Sequence, residues 1–147
     1  MIGIINNEVI GLIAIHSVLE STPRINIASS FLIAPLLFDK KTRNYLKRKN
    51  IKVLSAQELV IARSDYFVGF NDKFTDSLVT TTNAIAMGIE LGVFRLDDNY
   101  LTKLGSLPFT KGSLGRKIDD IVSASANISV MLSEPPETLY SLLRLKI

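Results

Sequence analysis

Two segments near the start of the chain constrain its fold more than anything that follows. Residues 8–21, EVIGLIAIHSVLES, and residues 26–38, NIASSFLIAPLLF, are almost continuously apolar and are separated by Thr22-Pro23. Neither run reaches the 18 or so apolar residues of a membrane span, so both must be covered by protein. In the first, Val9, Ile10, Leu12, Ile13, Ile15 and Leu19 recur with helical spacing after Asn6 and Asn7, which suit an N-cap. Gly11, Ala14, Ser17 and Ser21 interrupt the bulky residues and permit close packing. Pro23 restrains the residue before it, which stops this helix near Thr22. In the second segment Pro35 predicts a buried helix that is kinked or divided. Helices this rich in Ile and Leu exceed what a domain of 147 residues easily hides, so a permanent interface is expected on them. Ile13, Phe31, Leu32, Leu36 and Phe38 are its candidates, joined by Leu139, Tyr140 and Leu143 from the end of the chain.

The rest of the chain reads as further helices around one small β unit. Asp39 is placed to cap a basic helix ending near Asn50, and Ile51, Val53 and Leu54 form an extended link. Ser55-Ala-Gln-Glu58 has capping-box spacing and opens a helix to about Phe67. Val68-Gly69-Phe70 breaks it, and a long helix follows over 74–91, with Gly92 terminating it. Val93-Phe94-Arg95-Leu96, the turn residues Asp97-Asp98-Asn99 and Tyr100-Leu101-Thr102-Lys103-Leu104 then read as a hairpin. Residues 113–132 form a late helix, with Ser113 as its expected cap, and Pro136 starts a last one. A helix followed by a hairpin is the outline of a winged helix. The expected fold is therefore mainly α with a small β-hairpin, a single winged-helix-like domain over 1–147 with its wing at about 93–104.

Composition removes several chemistries. The chain has no cysteine, which excludes disulfides, thiolate metal sites and thiol catalysis. Its one histidine, His16, has Glu20 four residues on, and that pair is too small a set for a metal. It reads as a packing residue on a helix. The adjacent acids Asp97-Asp98 suit a turn. Asp119-Asp120 point about 100° apart on a helix rather than converging, with one expected beside Arg116 or Lys117 and the other in solvent. KGSLGRKI at 111–118 lacks the spacing of a nucleotide-binding loop. The expected chain is thus not an enzyme and carries no cofactor or metal. Residues 1–10 have no basic stretch ahead of an apolar one, so no signal peptide is expected, and the expected location is the cytoplasm.

Charge is uneven. Residues 1–55 hold eight basic and three acidic side chains, whereas 56–110 hold four and seven. The surplus comes from Lys40, Lys41, Arg43, Lys47, Arg48, Lys49 and Lys52. On a helix, Lys40, Lys41, Arg43, Lys47 and Arg48 share an arc of roughly 160° with Asn44. They are candidate contacts for phosphates or an acidic partner, as are Lys111, Arg116 and Lys117 at the start of the late helix. The long helix ahead of the hairpin has no Arg or Lys after Lys73. A winged helix would use that element to read DNA, so its usual reading face lacks the phosphate contacts binding requires.

NNEVIGLIAIHSVL at 6–19, SFLIAPLLFDKKTRNYL at 30–46, GVFRLDDNYLTKL at 92–104 and KGSLGRKIDDIVSASANISVMLSEPPETLYSLLRLKI at 111–147 together resemble the small middle components of bacterial ABC-three-component systems, similar in plan to Lamassu-type defence modules. Leu36 to Arg43 matches the family's apolar-to-basic transition, Leu114 to Lys117 the start of its late helix, and Thr138 to Leu143 its final segment. The family's usual glycine near the last turn is replaced around Leu143-Arg144, and Lys117-Ile118 stands where an aromatic residue is common. The resemblance implies a non-catalytic accessory subunit. It would bind an SMC- or Rad50-like ABC ATPase and couple nucleic-acid sensing to an effector such as a nuclease, in an anti-phage or anti-plasmid complex. DNA would be met indirectly or through the basic helix, and no membrane is involved. The alternative is a free-standing winged-helix regulator that binds nucleic acid.

Overall fold

A computed structural model describes residues 6–109 and 112–146. Helix α1 spans Asn7–Ser21, with the Asn6 side chain accepting from the Val9 amide at 2.9 Å as its N-cap. Every residue from Ile10 to Leu19 is buried, so the helix has no solvated face. Helix α3 (Ile33–Leu37), α6 (Phe70–Glu90), α7 (Arg116–Met131) and strand β3 (Tyr100–Lys103) surround it. That arrangement overturns the expectation that the first two apolar segments need an outside partner. Ile13, Leu32 and Leu36 lie in the chain's own interior, as do Leu139 and Leu143. A helix wrapped on all sides absorbs apolar residues that an amphipathic helix would leave exposed.

The 26–38 segment is divided, but not at Pro35. Helix α2 (Ile27–Ser30) ends at Phe31 and α3 restarts at Ile33, with Pro35 third in its first turn. A first-turn amide has no intrahelical acceptor, so proline costs no hydrogen bond there. Helix α4 runs Lys40–Leu46, shorter than expected, and Asp39 caps it through the Thr42 amide. Helix α5 (Ala56–Ala62) starts at the Ser55 cap and gives way to a 3₁₀ turn over Ser64–Phe67. Gly69 then takes a positive φ of 71° before α6. Helix α7 begins at Arg116, three residues past the expected cap Ser113, and α8 spans Pro136–Leu142.

The β unit has three strands rather than two. Strand β1 (Arg24–Asn26) pairs antiparallel with β3, and β2 (Phe94–Asp97) pairs on its other side, in the order β1-β3-β2. Ile25 opposes Leu101, and Leu96 opposes Leu101 across the other ladder. The two-residue hairpin loop is Asp98-Asn99, with φ of 50° and 67°, the left-handed pair that a type I′ turn requires. The domain is mainly helical with this small antiparallel sheet, winged-helix-like in outline.

Helix α6 passes into β2 through a Schellman turn. The Val93 amide donates to the Gly88 carbonyl at 2.9 Å and Gly92 donates to Ile89 at 3.1 Å, with Gly92 left-handed. The turn folds the buried Phe94 ring back onto Gly88, and a methyl group at residue 88 would overlap that ring and sit 3.0 Å from Leu12 Cδ1. The same motif closes α8, where Leu145 donates to Tyr140 and Arg144 to Ser141, but here the left-handed residue is Arg144, φ 56°.

Two stability changes of opposite sign follow. Gly88→Ala gains helix propensity yet forces Phe94 and Leu12 apart, and should destabilise by about 1–3 kcal/mol in urea unfolding. Arg144→Gly relieves a side chain from the left-handed region and should stabilise by about 0.5–1 kcal/mol in the same assay. An unchanged midpoint in either variant would contradict the packing described.

Candidate functional site

The basic residues expected on one arc are dispersed by the fold. Lys40 and Lys41 are exposed on the first turn of α4. Arg43 instead turns inward and is 8% exposed. Its Nη1 donates to the carbonyls of Leu37 and Phe38 at 3.1 and 3.2 Å, so it closes the C-terminal end of α3. A cation suits that end of a helix, where carbonyls lack amide partners. Its Nε has no partner among the described residues. Arg43 therefore does not present a charge to a ligand, contrary to expectation.

Lys47 and Arg48 lie beyond the end of α4, in the link to α5. Lys47 Nζ meets Asp120 Oδ2 of α7 at 3.2 Å. This pairing, and not Arg116 or Lys117, accounts for Asp120, while Asp119 accepts from the Gly112 amide at 2.9 Å ahead of α7. Arg48, Lys49 and Lys52 are exposed. The link is held by one side chain. Asn127 Nδ2 donates to the Leu46 and Ile51 carbonyls at 2.9 and 3.1 Å, and its Oδ1 accepts from the Val53 amide at 3.0 Å. Between link and α7 lies a groove of about 390 Å³ lined by Lys47, Arg48, Lys49, Lys52, Ser123 and Asn127. Nothing in the spacing of Asn127 revealed this role, since its partners lie more than seventy residues away in sequence.

Arg116 and Lys117 are exposed at the start of α7, where Lys117 Nζ stands 5.8 Å from the centre of the Phe38 ring. Lys111 lies outside the described residues. Arg63 stacks 4.4 Å from Tyr66 and 5.0 Å from Tyr45, its Nη2 donates to the Tyr66 hydroxyl at 2.6 Å, and Arg48 approaches the Tyr45 ring at 5.8 Å.

Of the candidate interface residues, only Phe31, Phe38 and Tyr140 keep part of their surface outside. Tyr140 is engaged: its hydroxyl donates to the Ala28 carbonyl at 2.7 Å, its ring meets Phe74 edge-on, and burial pushes its phenol up from the usual value. The most exposed large apolar side chains lie elsewhere. Leu54, Ile61 and Val68 are 76%, 71% and 77% exposed, and Leu91, Leu96 and Leu104 form a second set near the hairpin. No short periodic pattern marks them, because α5 is a single short helix with one buried edge.

His16 is a packing residue, as its neighbours suggested. It is 3% exposed, its Nε2 donates to the Gly105 carbonyl at 3.0 Å, and Nδ1 lies 3.7 Å from Glu20. A carbonyl only accepts, so Nε2 carries the proton. Among the described residues no group of His, Asp and Glu converges to hold a metal ion, and no helix is long and apolar enough to cross a membrane.

Asp39 joins α4 to α6. It accepts from the Thr42 hydroxyl at 2.8 Å and from Lys73 Nζ at 2.7 Å. Burial pushes its carboxyl up, but the hydrogen bonds from Lys73 and Thr42 and the Lys73 charge together outweigh burial and hold it below the ordinary 3.8. A depressed folded value means that the stabilisation is present above the unfolded value and is lost as pH falls through the folded one. Asp39→Asn keeps a capping oxygen and removes the charge. It should cost about 0.5–1 kcal/mol at neutral pH, and the difference from the unaltered protein should shrink below pH ~4 in urea titrations.

No curated protein matches the chain, and no solved structure matches it. A family model does, over residues 12–147, and its description is ABC-three component (ABC-3C) system Middle Component 3. The match takes in α1 from its second turn, the three-stranded unit and the four elements that wrap α1. With nearly its whole length inside that model, the chain belongs to the Middle Component 3 family, the accessory middle subunits of ABC-three-component systems.

Proposed function

We propose that this chain is a non-catalytic subunit that binds an SMC- or Rad50-like ABC ATPase and an effector such as a nuclease, coupling nucleic-acid sensing to effector release in a defence complex of Lamassu-like plan. Family membership carries the reading, because a middle component works only within such a system. Two features support it. The core is closed around α1, so assembly does not have to complete the fold. Large apolar side chains nevertheless stay in water along 54–68, where Leu54, Ile61 and Val68 stand beside the half-buried Val60 and Phe67. Exposed apolar clusters of this kind mark contact surfaces, and Phe31 and Phe38 offer further partly exposed rings.

Co-expression with the SMC- or Rad50-like ATPase of its own system should yield a complex that survives size-exclusion chromatography after nuclease treatment. The double variant Ile61→Asp/Val68→Asp should retain its melting temperature within ~2 °C and lose at least tenfold of the recovered ATPase. An ATPase that never co-elutes with the unaltered chain would refute the reading.

A further inference from the structure

The groove between the 47–52 link and α7 is lined by four basic residues. Its rim is Lys47, Arg48, Lys49 and Lys52, and its lining includes Ser123, Ala126 and Asn127. Lys47 is paired with Asp120 at 3.2 Å, whereas Arg48, Lys49 and Lys52 make no ion pair among the described residues. Three cations thus line one groove with no carboxylate paired to them, and Arg48 also stands 5.8 Å from the centre of the Tyr45 ring. Like charges repel, and a chain free to move would separate them. Here the backbone cannot spread, because Asn127 grips it at Leu46, Ile51 and Val53. The repulsion stays in place until an anion relieves it.

We propose that this groove, and not the face of α4, seats the phosphate backbone of a nucleic-acid duplex. An acidic protein surface is the less suitable occupant. Protein contacts gain most of their affinity from buried aromatic or large aliphatic anchors, and the only apolar residues lining the groove are Ile51 and Ala126. A single strand fits less well for a related reason. Single-strand sites stack bases on aromatic rings, and none lines the groove: Tyr45, 5.8 Å from the Arg48 guanidinium, is packed edge-on against Tyr66 and beside Arg63. Cations around a channel lined by no aromatic ring suit phosphates and carry no base readout. Asn127 is a positioning residue that fixes the spacing of the cations without contributing charge.

The proposal deepens the nucleic-acid part of the function above and rests on that reading for its biological setting, but its test does not require the ATPase. The full chain is titrated against a fluorescent 20-base-pair DNA duplex, the RNA duplex of the same sequence and the single DNA strand, with anisotropy read between 50 and 200 mM salt. Three neutralised phosphates give a logarithmic salt slope near −2.7, so affinity for the duplex should fall roughly 40-fold across that range. Arg48→Glu/Lys49→Glu/Lys52→Glu should weaken duplex binding at least tenfold at 50 mM salt, equally for unrelated sequences, and flatten the slope. Lys40→Glu/Lys41→Glu, which alters charge on α4 away from the groove, should weaken it less than threefold. Asn127→Leu removes all three hydrogen bonds to the link without adding charge, and should weaken duplex binding with circular dichroism unchanged. Comparable DNA and RNA duplex affinities would support backbone recognition. No duplex binding at 50 mM salt, full binding by the folded triple variant, or tighter binding to the single strand would each overturn the proposal. Retained ATPase co-elution in the triple variant, with duplex binding lost, keeps the two readings apart. An acidic partner lost from the triple variant while duplex binding persists would assign the groove to protein instead.

Discussion

The burial of α1 on every side is the constraint on which the rest of the domain depends. Ten consecutive residues, Ile10 to Leu19, are out of water, so elements must approach the helix from all directions. Three helices and a strand supply those approaches, and small residues let them come close. Gly11 is one: a Cβ there would sit 3.3 Å from the Ala84 methyl of α6. His16, enclosed in this way, finds its partner where its ring reaches the Gly105 carbonyl behind the hairpin. The hairpin belongs to the core's hydrogen bonding as well as to its packing, since β1 leads directly out of α1 and binds β3.

Most helices were legible because their signals are local. Asn6, Asp39 and Ser55 each cap the helix that their position suggested, and Asp98-Asn99 turns the hairpin where turn chemistry placed it. What escaped is non-local. Strand β1 is three residues of no distinctive pattern, made a strand only by pairing with Tyr100 to Thr102 far along the chain. The number of apolar residues in the first two segments was read correctly, but their destination was not. A sequence of this kind does not distinguish a helix buried by its own domain from one buried by a partner, because both lack a polar face. The replaced glycine near the last turn is the converse case, where the sequence departure and the geometry coincide. Arg144 occupies the left-handed position that glycine adopts at lowest cost.

Helical periodicity also misjudged the charges, and for a definite reason. An arc drawn on a helix places Arg43 beside Lys47, yet the arginine stem is long enough to carry its guanidinium to the unpaired carbonyls ending α3. The α4 helix stops at Leu46, so Lys47 and Arg48 no longer obey its rotation. Asp39 could be assigned from the sequence as a cap, but its second role, receiving Lys73 from α6, required the fold. The basic stretch is one composition divided by structure into three uses: a helix end sealed by Arg43, an ion pair between Lys47 and Asp120, and a remainder that faces solvent.

That remainder inherits its shape from the core. Helix α7 buries Ile118, Ile121, Ala124 and Ile128, and it is packed against α1. It also turns Asn127 toward the link, where three hydrogen bonds fix a segment with no regular structure of its own. The groove is therefore built where a core helix clamps the link by hydrogen bonds. A rigid link loses little freedom on meeting a ligand, and fixed charges need no rearrangement to face one. The exposed apolar side chains of 54–68 begin immediately after the same clamp, at Leu54 beside Val53. One asparagine on a core helix thus holds in register a charged surface and the start of an apolar one.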